Sequence, residues 1–194
     1  MKIIEPSVEL VDDIDGQQIL RKLELCGKVS RKSQPGDAEN FVRSIIKRGH
    51  ESVLEHVSLT FHIVCDRAIM AELTRHRHAS FTVESTRYVK YDELKVIMPI
   101  IGIENGEKYF HNAADVSQSY YMTLIKHLPP EIARAVLPLC LATELYMTAN
   151  LRELRHILKL RTDKAAHPQM RLVAGQILDI LREKLPVIVE DINP

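Results

Sequence analysis

Between Ser58 and Cys65 the chain alternates, with Leu59, Phe61, Ile63 and Cys65 on one face and Thr60, His62 and Val64 on the other. Successive side chains of an extended backbone point to opposite sides, so a period of two marks a strand half buried in a sheet. Elsewhere the period is helical. Phe110, Ala113, Ser117, Tyr121, Leu124 and Ile125 recur so as to make residues 107–127 one long amphipathic helix. The two periods exclude an all-helical or an all-strand fold and require a mixed α and β one.

Punctuation residues place the other elements. Val8, Leu10 and Val11 suggest a short first strand. Gln17 to Cys26 reads as a helix burying Ile19, Leu20 and Leu23 and closed by Gly27. Asp37 is an N-cap residue for a helix that buries Phe41, Ile45 and Ile46 and stops at Gly49. Ser52 and Glu55 have the spacing of a capping box. Asp66 caps a helix that turns Ile69, Met70 and Leu73 inward. Val89 to Met98 reads as extended. Pro129-Pro130 starts a short helix bearing Arg134, and Leu139 to Thr148 alternates as a strand. Asn150, with Glu153 at the third helical position, opens a further helix ending near Arg161. The last helix begins at Pro168 and packs through Leu172, Ile177, Ile180 and Leu181, with a short tail after Pro186. No internal repeat or linker interrupts the chain, so a single domain over residues 1–194 is expected.

Composition narrows the function. The 26 basic and 26 acidic residues cancel, and aromatic residues make up only 5%. A nucleic-acid binder usually carries a basic surplus with stacking platforms, so that class is disfavoured. Cys26, Cys65 and Cys140 lie far apart without a CxxC pair, which argues for a reducing compartment. With no apolar run of signal-peptide or membrane-spanning length, the expectation is a cytoplasmic protein without membrane contact.

Arg75 to Tyr88 packs Arg75, His76, Arg77, Glu84, Ser85 and Arg87 into one short stretch. Taken alone, the Arg-His-Arg triplet reads as a solvated cation cluster complementing a helix C-terminus. It also suits an anion, because a guanidinium is a planar, permanently charged donor fork. Other readings fall away. There is no GxGxxG, no GxxxxGK[ST] and no GxSxG, and the histidines around Glu51 lack the zinc spacing His-Glu-x-x-His. No metal site is expected. Arg75, Arg77, Arg87, Arg134, Arg152 and Arg161 each fall near an element end, where loops gather into sites.

Arg75-His76-Arg77-x-x-Ser80, followed by Glu84-Ser85-x-Arg87-Tyr88, resembles the signature of flavin-dependent thymidylate synthases. Further blocks in family order accompany it: Gly49-His50-Glu51-Ser52 with Glu55-His56, Ala133 to Pro138, Asn150 to His156, and Leu160-Arg161 with Ala166-His167-Pro168. The resemblance runs from about Ser30 to Arg171.

It implies an α+β fold, the thymidylate synthase-complementing (ThyX-like) fold, in which a mainly antiparallel sheet is flanked by helices. It implies a homotetramer with sites shared between subunits and bound FAD. The implied reaction is reductive methylation of dUMP to dTMP, with 5,10-methylenetetrahydrofolate as one-carbon donor and NADPH as reductant. By the same resemblance Ser30, His50, Ser52, Arg75, His76, Arg77, Val83, Asn150, Arg152 and His156 would line the flavin. Glu72, Arg75, Val83, Glu84, Ser85, Arg87, Arg134 and Arg161 would meet dUMP. Arg161 would be the catalytic residue, stabilising the ionised uracil without needing a proton of its own. Glu72 and Val83 depart from the family pattern, which commonly has Gln at the first position and a polar residue at the second. They motivate the alternative of a relative that alkylates a different pyrimidine nucleotide.

Overall fold

The short alternating and helical segments form, in the computed structural model, strands β1 (Lys2–Ile3), β2 (Ser7–Leu10), β3 (Ser58–Asp66), β4 (Ser80–Val83), β5 (Lys95–Val96) and β6 (Ala142–Asn150). Between and after them run α1 (Gly16–Lys28), α2 (Ala38–Lys47), α3 (Arg67–Leu73), α4 (Gly106–Leu124), α5 (Pro130–Ala133), α6 (Leu151–Arg161), α7 (Pro168–Lys184) and α8 (Pro186–Val189). The structure describes residues 1–194 apart from the side chain of Arg31. The main sheet is antiparallel with strand order β2-β3-β6-β4, and helices complete an α+β fold. Packing divides the chain into two compact units. The first holds residues 1–7, 63–75 and 81–146, and the second holds residues 8–62, 76–80 and 147–194.

In the first unit β1 pairs in parallel with β5, Lys2 opposite Lys95 and Ile3 opposite Val96. Its core gathers Leu94, Val96, Tyr121, Ala133 and Leu141. Asp66 caps α3 as expected, its carboxylate accepting the Ile69 amide at 2.8 Å, and Ile69 and Leu73 are buried. Of the extended stretch after Tyr88, only Lys95–Val96 pairs as a strand. In α4 Tyr121 is buried and Phe110, Leu124 and Ile125 pack against the same core as expected, but the buried small residue is Ala114, while Ala113 faces out.

In the second unit β3 buries Leu59 and Phe61 as its alternation requires, and Thr60 meets Thr148 of β6 at 3.0 Å, hydroxyl to hydroxyl. Gly27 does not cap α1, which continues to Lys28. A Cβ at Gly27 would lie 2.4 Å from Cζ of Phe41, so the glycine is what lets α1 and α2 approach. Gly49 does act as a terminator, with φ +70 and its amide donating to the Ile46 carbonyl. The capping box at Ser52 and Glu55 is not formed. Glu51–His56 is a 3-10 helix without a side-chain cap, and Glu55 turns to Arg152 instead. Along α7 the inward face is Met170, Val173, Ala174, Ile177, Leu178 and Leu181, whereas Leu172 is exposed. The segment after Pro186 is core rather than periphery. Val187, Ile188 and Val189 of α8 are buried, each such burial contributing about 1.5–3 kcal/mol.

Candidate active site

Asn150 starts α6 by accepting the Glu153 amide at 2.9 Å, so the N-cap read from the sequence is present. That cap fixes the first turn. It also sets Glu153, His156 and Arg161 toward one side of the helix, since positions three and eight residues on return to the same side at 3.6 residues per turn. His76 sits against this face in the same unit. Its Nδ1 lies 3.4 Å from the Glu153 carboxylate and its Nε2 accepts from Arg161 Nε at 3.0 Å. The His156 ring stands edge-on to it at 5.9 Å. Both His76 and Glu153 are buried.

Donor rules determine the imidazole tautomer. A guanidinium Nε–H can only donate, so Nε2 of His76 carries no proton and Nδ1 carries it, donating to Glu153. Burial, and next the adjacent Arg161 charge, hold His76 below its ordinary pKa and keep it neutral. Potential ligand atoms of His76, Glu153 and His156 fall within 4.8 Å of one another, yet this proton arrangement disfavours a metal ion. Nδ1 is occupied by a proton, and the other ring nitrogen accepts a hydrogen bond where a metal-bound histidine would donate one.

A cavity of about 600 Å³ opens beside this group, lined by His78, Asn150, Arg152, Glu153 and His156 with Glu51 and Glu55. A second, of about 830 Å³, is lined by Lys28, Ser30, Arg48, His50, Ser52 and His56 among others. Arg152 pairs with Glu55 at 2.5 Å on the exposed rim, where water screens the pair and an anion can displace it. Sequence reasoning passed over two residues here. The capping pattern accounts for Glu153 only as part of the helix start. Arg155, buried within α6, is bidentate to Asp191 at 2.6 and 2.8 Å and reaches Glu51 at 3.1 Å. It thereby ties the 51–56 turn and the C-terminal segment to α6. A sequence signal existed only in the charge of Arg155, which sits between Leu154 and Ile157 on the apolar side of the helix.

The first unit holds the other candidate residues. Ser85 shapes a turn: its carbonyl accepts the Tyr88 and Val89 amides and its hydroxyl accepts the Arg87 amide at 3.3 Å. That use of the hydroxyl suits a positioning group rather than a nucleophile. Glu84 accepts a hydrogen bond from the Tyr91 hydroxyl, and burial, with that acceptor next, pushes the phenol pKa up. Arg134 donates to Thr86 at 3.3 Å, and Arg87 lies 3.6 Å from Glu131, so both arginines gather around this one turn. Val83 ends β4 and is half-buried beside Glu84. Glu72 lies near the end of α3, its carbonyl accepting the Arg75 amide at 3.3 Å.

The candidates thus divide. Ser30, His50, Ser52, His76, Arg77, Asn150, Arg152, His156 and Arg161 belong to the second unit. Glu72, Arg75, Val83, Glu84, Ser85, Arg87 and Arg134 belong to the first. The reading of Arg75-His76-Arg77 as a solvated cluster holds for the two exposed arginines and fails for the buried histidine between them. All three cysteines are free, and burial pushes the Cys65 thiol up to about 12, so it is no nucleophile.

Residues 9–187 match the family of thymidylate synthase complementing proteins. The chain belongs to the flavin-dependent thymidylate synthase family. It is 34% identical to the flavin-dependent thymidylate synthase of Thermotoga neapolitana over 92% of this chain and 87% of that one. It is also 34% identical to the probable flavin-dependent thymidylate synthase of Mycobacterium phage L5, over 86% and 76% respectively. Among solved structures it resembles the UMP/dUMP methylase PolB of Streptomyces cacaoi bound with 5-Br dUMP, with TM-score 0.84 and 26% identity over 98% of this chain and 96% of that one. The same methylase bound with 5-Br UMP gives a TM-score of 0.80. The arrangement of this family member suits a phosphate-bearing flavin cofactor. Its second unit offers two cavities of ligand size with cationic and hydroxyl donors for phosphates. Among the described residues, no helix is long and apolar enough to cross a membrane.

Proposed function

We propose that the protein methylates dUMP to dTMP, with bound FAD, 5,10-methylenetetrahydrofolate as carbon donor and NADPH as reductant. The observation that carries the reading is Arg161, whose Nε is fixed on a buried neutral histidine in a chain of this family. Methylation at a uracil ring needs electron density pushed into that ring. A fixed guanidinium favours the anionic ring and gives up no proton in doing so.

The other roles follow from donor type. Ser30, His50, Ser52, His76, Arg77, Asn150, Arg152 and His156 would hold FAD, with Arg75 and Val83 contributing to both ligands. Glu72, Glu84, Ser85, Arg87 and Arg134 would hold the nucleotide, the two arginines meeting its phosphate as charge-assisted donors. The flavin, when bound, supplies the redox chemistry. Neutral His76 leaves Arg161 as the positive charge beside its own ring, so charge stabilisation is not divided with an imidazolium. Tyr91 keeps the Glu84 carboxylate turned to a fixed donor.

The assembly is a cytoplasmic homotetramer with sites shared between subunits and takes no nucleic acid. The exposed Tyr109, Val116 and Tyr120 on α4 offer apolar surface for such an assembly. The purified protein is expected to be yellow, to oxidise NADPH in response to dUMP, and to form dTMP from methylenetetrahydrofolate. A colourless protein that cannot be reconstituted with FAD refutes the reading.

A second reading, methylation of a different pyrimidine nucleotide, is favoured by Glu72 and Val83 at nucleotide positions and by the likeness to a UMP/dUMP methylase. Assaying dUMP, UMP and dCMP side by side separates the two. Turnover confined to UMP or dCMP overturns the first.

A further inference from the structure

We infer that Glu153 is a positioning residue for Arg161, acting through His76; this rests on the reading of Arg161 as the group that stabilises the ionised pyrimidine. The geometry is a close carboxylate–imidazole contact and a hydrogen bond on the two edges of one ring, within one unit. The Glu153 carboxylate lies 3.4 Å from Nδ1 of His76, and Nε2 of the same ring accepts from Arg161 Nε at 3.0 Å. Each link fixes the next. Free imidazole interconverts between tautomers, and only the one protonated on Nδ1 can accept from Arg161. The buried carboxylate selects that tautomer because it offers an acceptor and no proton. The Nε link then holds the guanidinium plane at one edge and orients the whole fork.

The helix explains why one carboxylate can do this. Glu153 sits in the first turn of α6, where the Asn150 cap fixes its backbone, and Arg161 ends the same helix. His76 therefore spans the helix from its first turn to its last. Three groups bear on the protonation of His76: Glu153 favours its charged form, while Arg161 and His156 oppose it. Protonation would turn Nε2 into a donor facing another donor and release Arg161.

The test compares wild-type holoenzyme with Glu153→Leu and Glu153→Gln, measuring dTMP formation against pH and flavin content. Nitrogen-proton correlation spectra of histidine-labelled protein read the His76 tautomer directly, the signal being assigned by its loss in His76→Gln. In the wild type the proton is expected on Nδ1. Glu153→Leu is expected to lower kcat about ten- to a hundredfold while the KM for dUMP stays within about twofold. Glu153→Gln keeps an acceptor oxygen, so kcat stays within about threefold. Its acid limb moves about 0.5–1 pH unit lower, because the charge that favoured protonation is gone.

A proton on Nε2 in an active wild type overturns the inference, as does wild-type kcat in Glu153→Leu. Should Glu153→Leu not fold, an unmoved acid limb in Glu153→Gln overturns it instead. A wild type that makes no methylated nucleotide refutes the functional reading, and the tautomer spectrum then still accepts or rejects the Glu153–His76–Arg161 chain.

Discussion

Replacing Arg155 by Met should destabilise the protein more than any change on the rim of the cavities. The Arg155 side chain is buried, bidentate to Asp191, bonded to Glu51, and donates to the Ile188 carbonyl. Breaking a buried pair from one side costs about 3–5 kcal/mol, because the partner charge is left unpaired. Here the partners are wetter than the arginine: Glu51 is 24% exposed and Asp191 41% exposed. Water can therefore recover part of their loss, which brings the expected cost to about 2–4 kcal/mol. Urea unfolding at neutral pH and fixed protein concentration should show the midpoint falling by roughly 1–2 M.

The pH dependence of this ion pair supplies an internal check. Hydrogen bonding from Arg155, the leading cause, lowers the Asp191 pKa to about 2. A carboxylate lowered in the folded state contributes stability above its unfolded pKa and loses it as pH falls toward the folded one. The gap between wild type and Arg155→Met should hold from neutral pH to about 4 and narrow between about 4 and 2. A variant within about 0.5 kcal/mol of wild type at neutral pH, or a gap independent of pH over that window, would refute the assignment of Arg155 as the tie between α6 and the C-terminal segment.

Three further outcomes test other parts of the structure. Arg161→Lys should retain flavin yet lose at least about a hundredfold in dTMP formation, because an ammonium lacks the Nε that His76 accepts from; activity within threefold of wild type contradicts its role. Tyr91→Phe removes the hydroxyl that donates to Glu84 and should raise the KM for dUMP roughly fivefold in steady-state assays, with kcat little changed. Gly27→Ala places a methyl group against Phe41 and should cost about 1–3 kcal/mol, lowering Tm by roughly 5 °C in a thermal melt. An unchanged melt would mean that Gly27 is not what sets the α1–α2 distance.

Much of the framework was legible wherever one short stretch of chain contains its own cause. The alternation at Leu59, Phe61, Ile63 and Cys65 gave β3, and the caps at Asp37, Asp66 and Asn150 all hold as side-chain to amide bonds. Readings failed where a local pattern competes with a distant partner. Ser52 and Glu55 have capping-box spacing, but Arg152, 97 residues on, draws Glu55 away. Gly27 has the look of a helix terminator, yet its absent Cβ serves a ring on the next helix.

Glu153 carries both lessons at once. As the third residue of a helix it satisfies the local rule completely, its amide bonded to Asn150. Nothing within that turn requires its side chain to be buried, and burying a carboxylate is costly unless a donor meets it. The donor comes from His76, in a loop 77 positions earlier (153 minus 76), and it is the right donor only because Arg161 claims the other edge of the ring. The same buried carboxylate that the local pattern treats as a helix signal thus depends on His76 from elsewhere in the chain and on Arg161 at the far end of its own helix. A residue whose local role is already satisfied, and whose burial is then explained only by distant partners, is the one most easily missed in sequence. On the role proposed above for Arg161, it is also the residue whose replacement would disturb that guanidinium through His76.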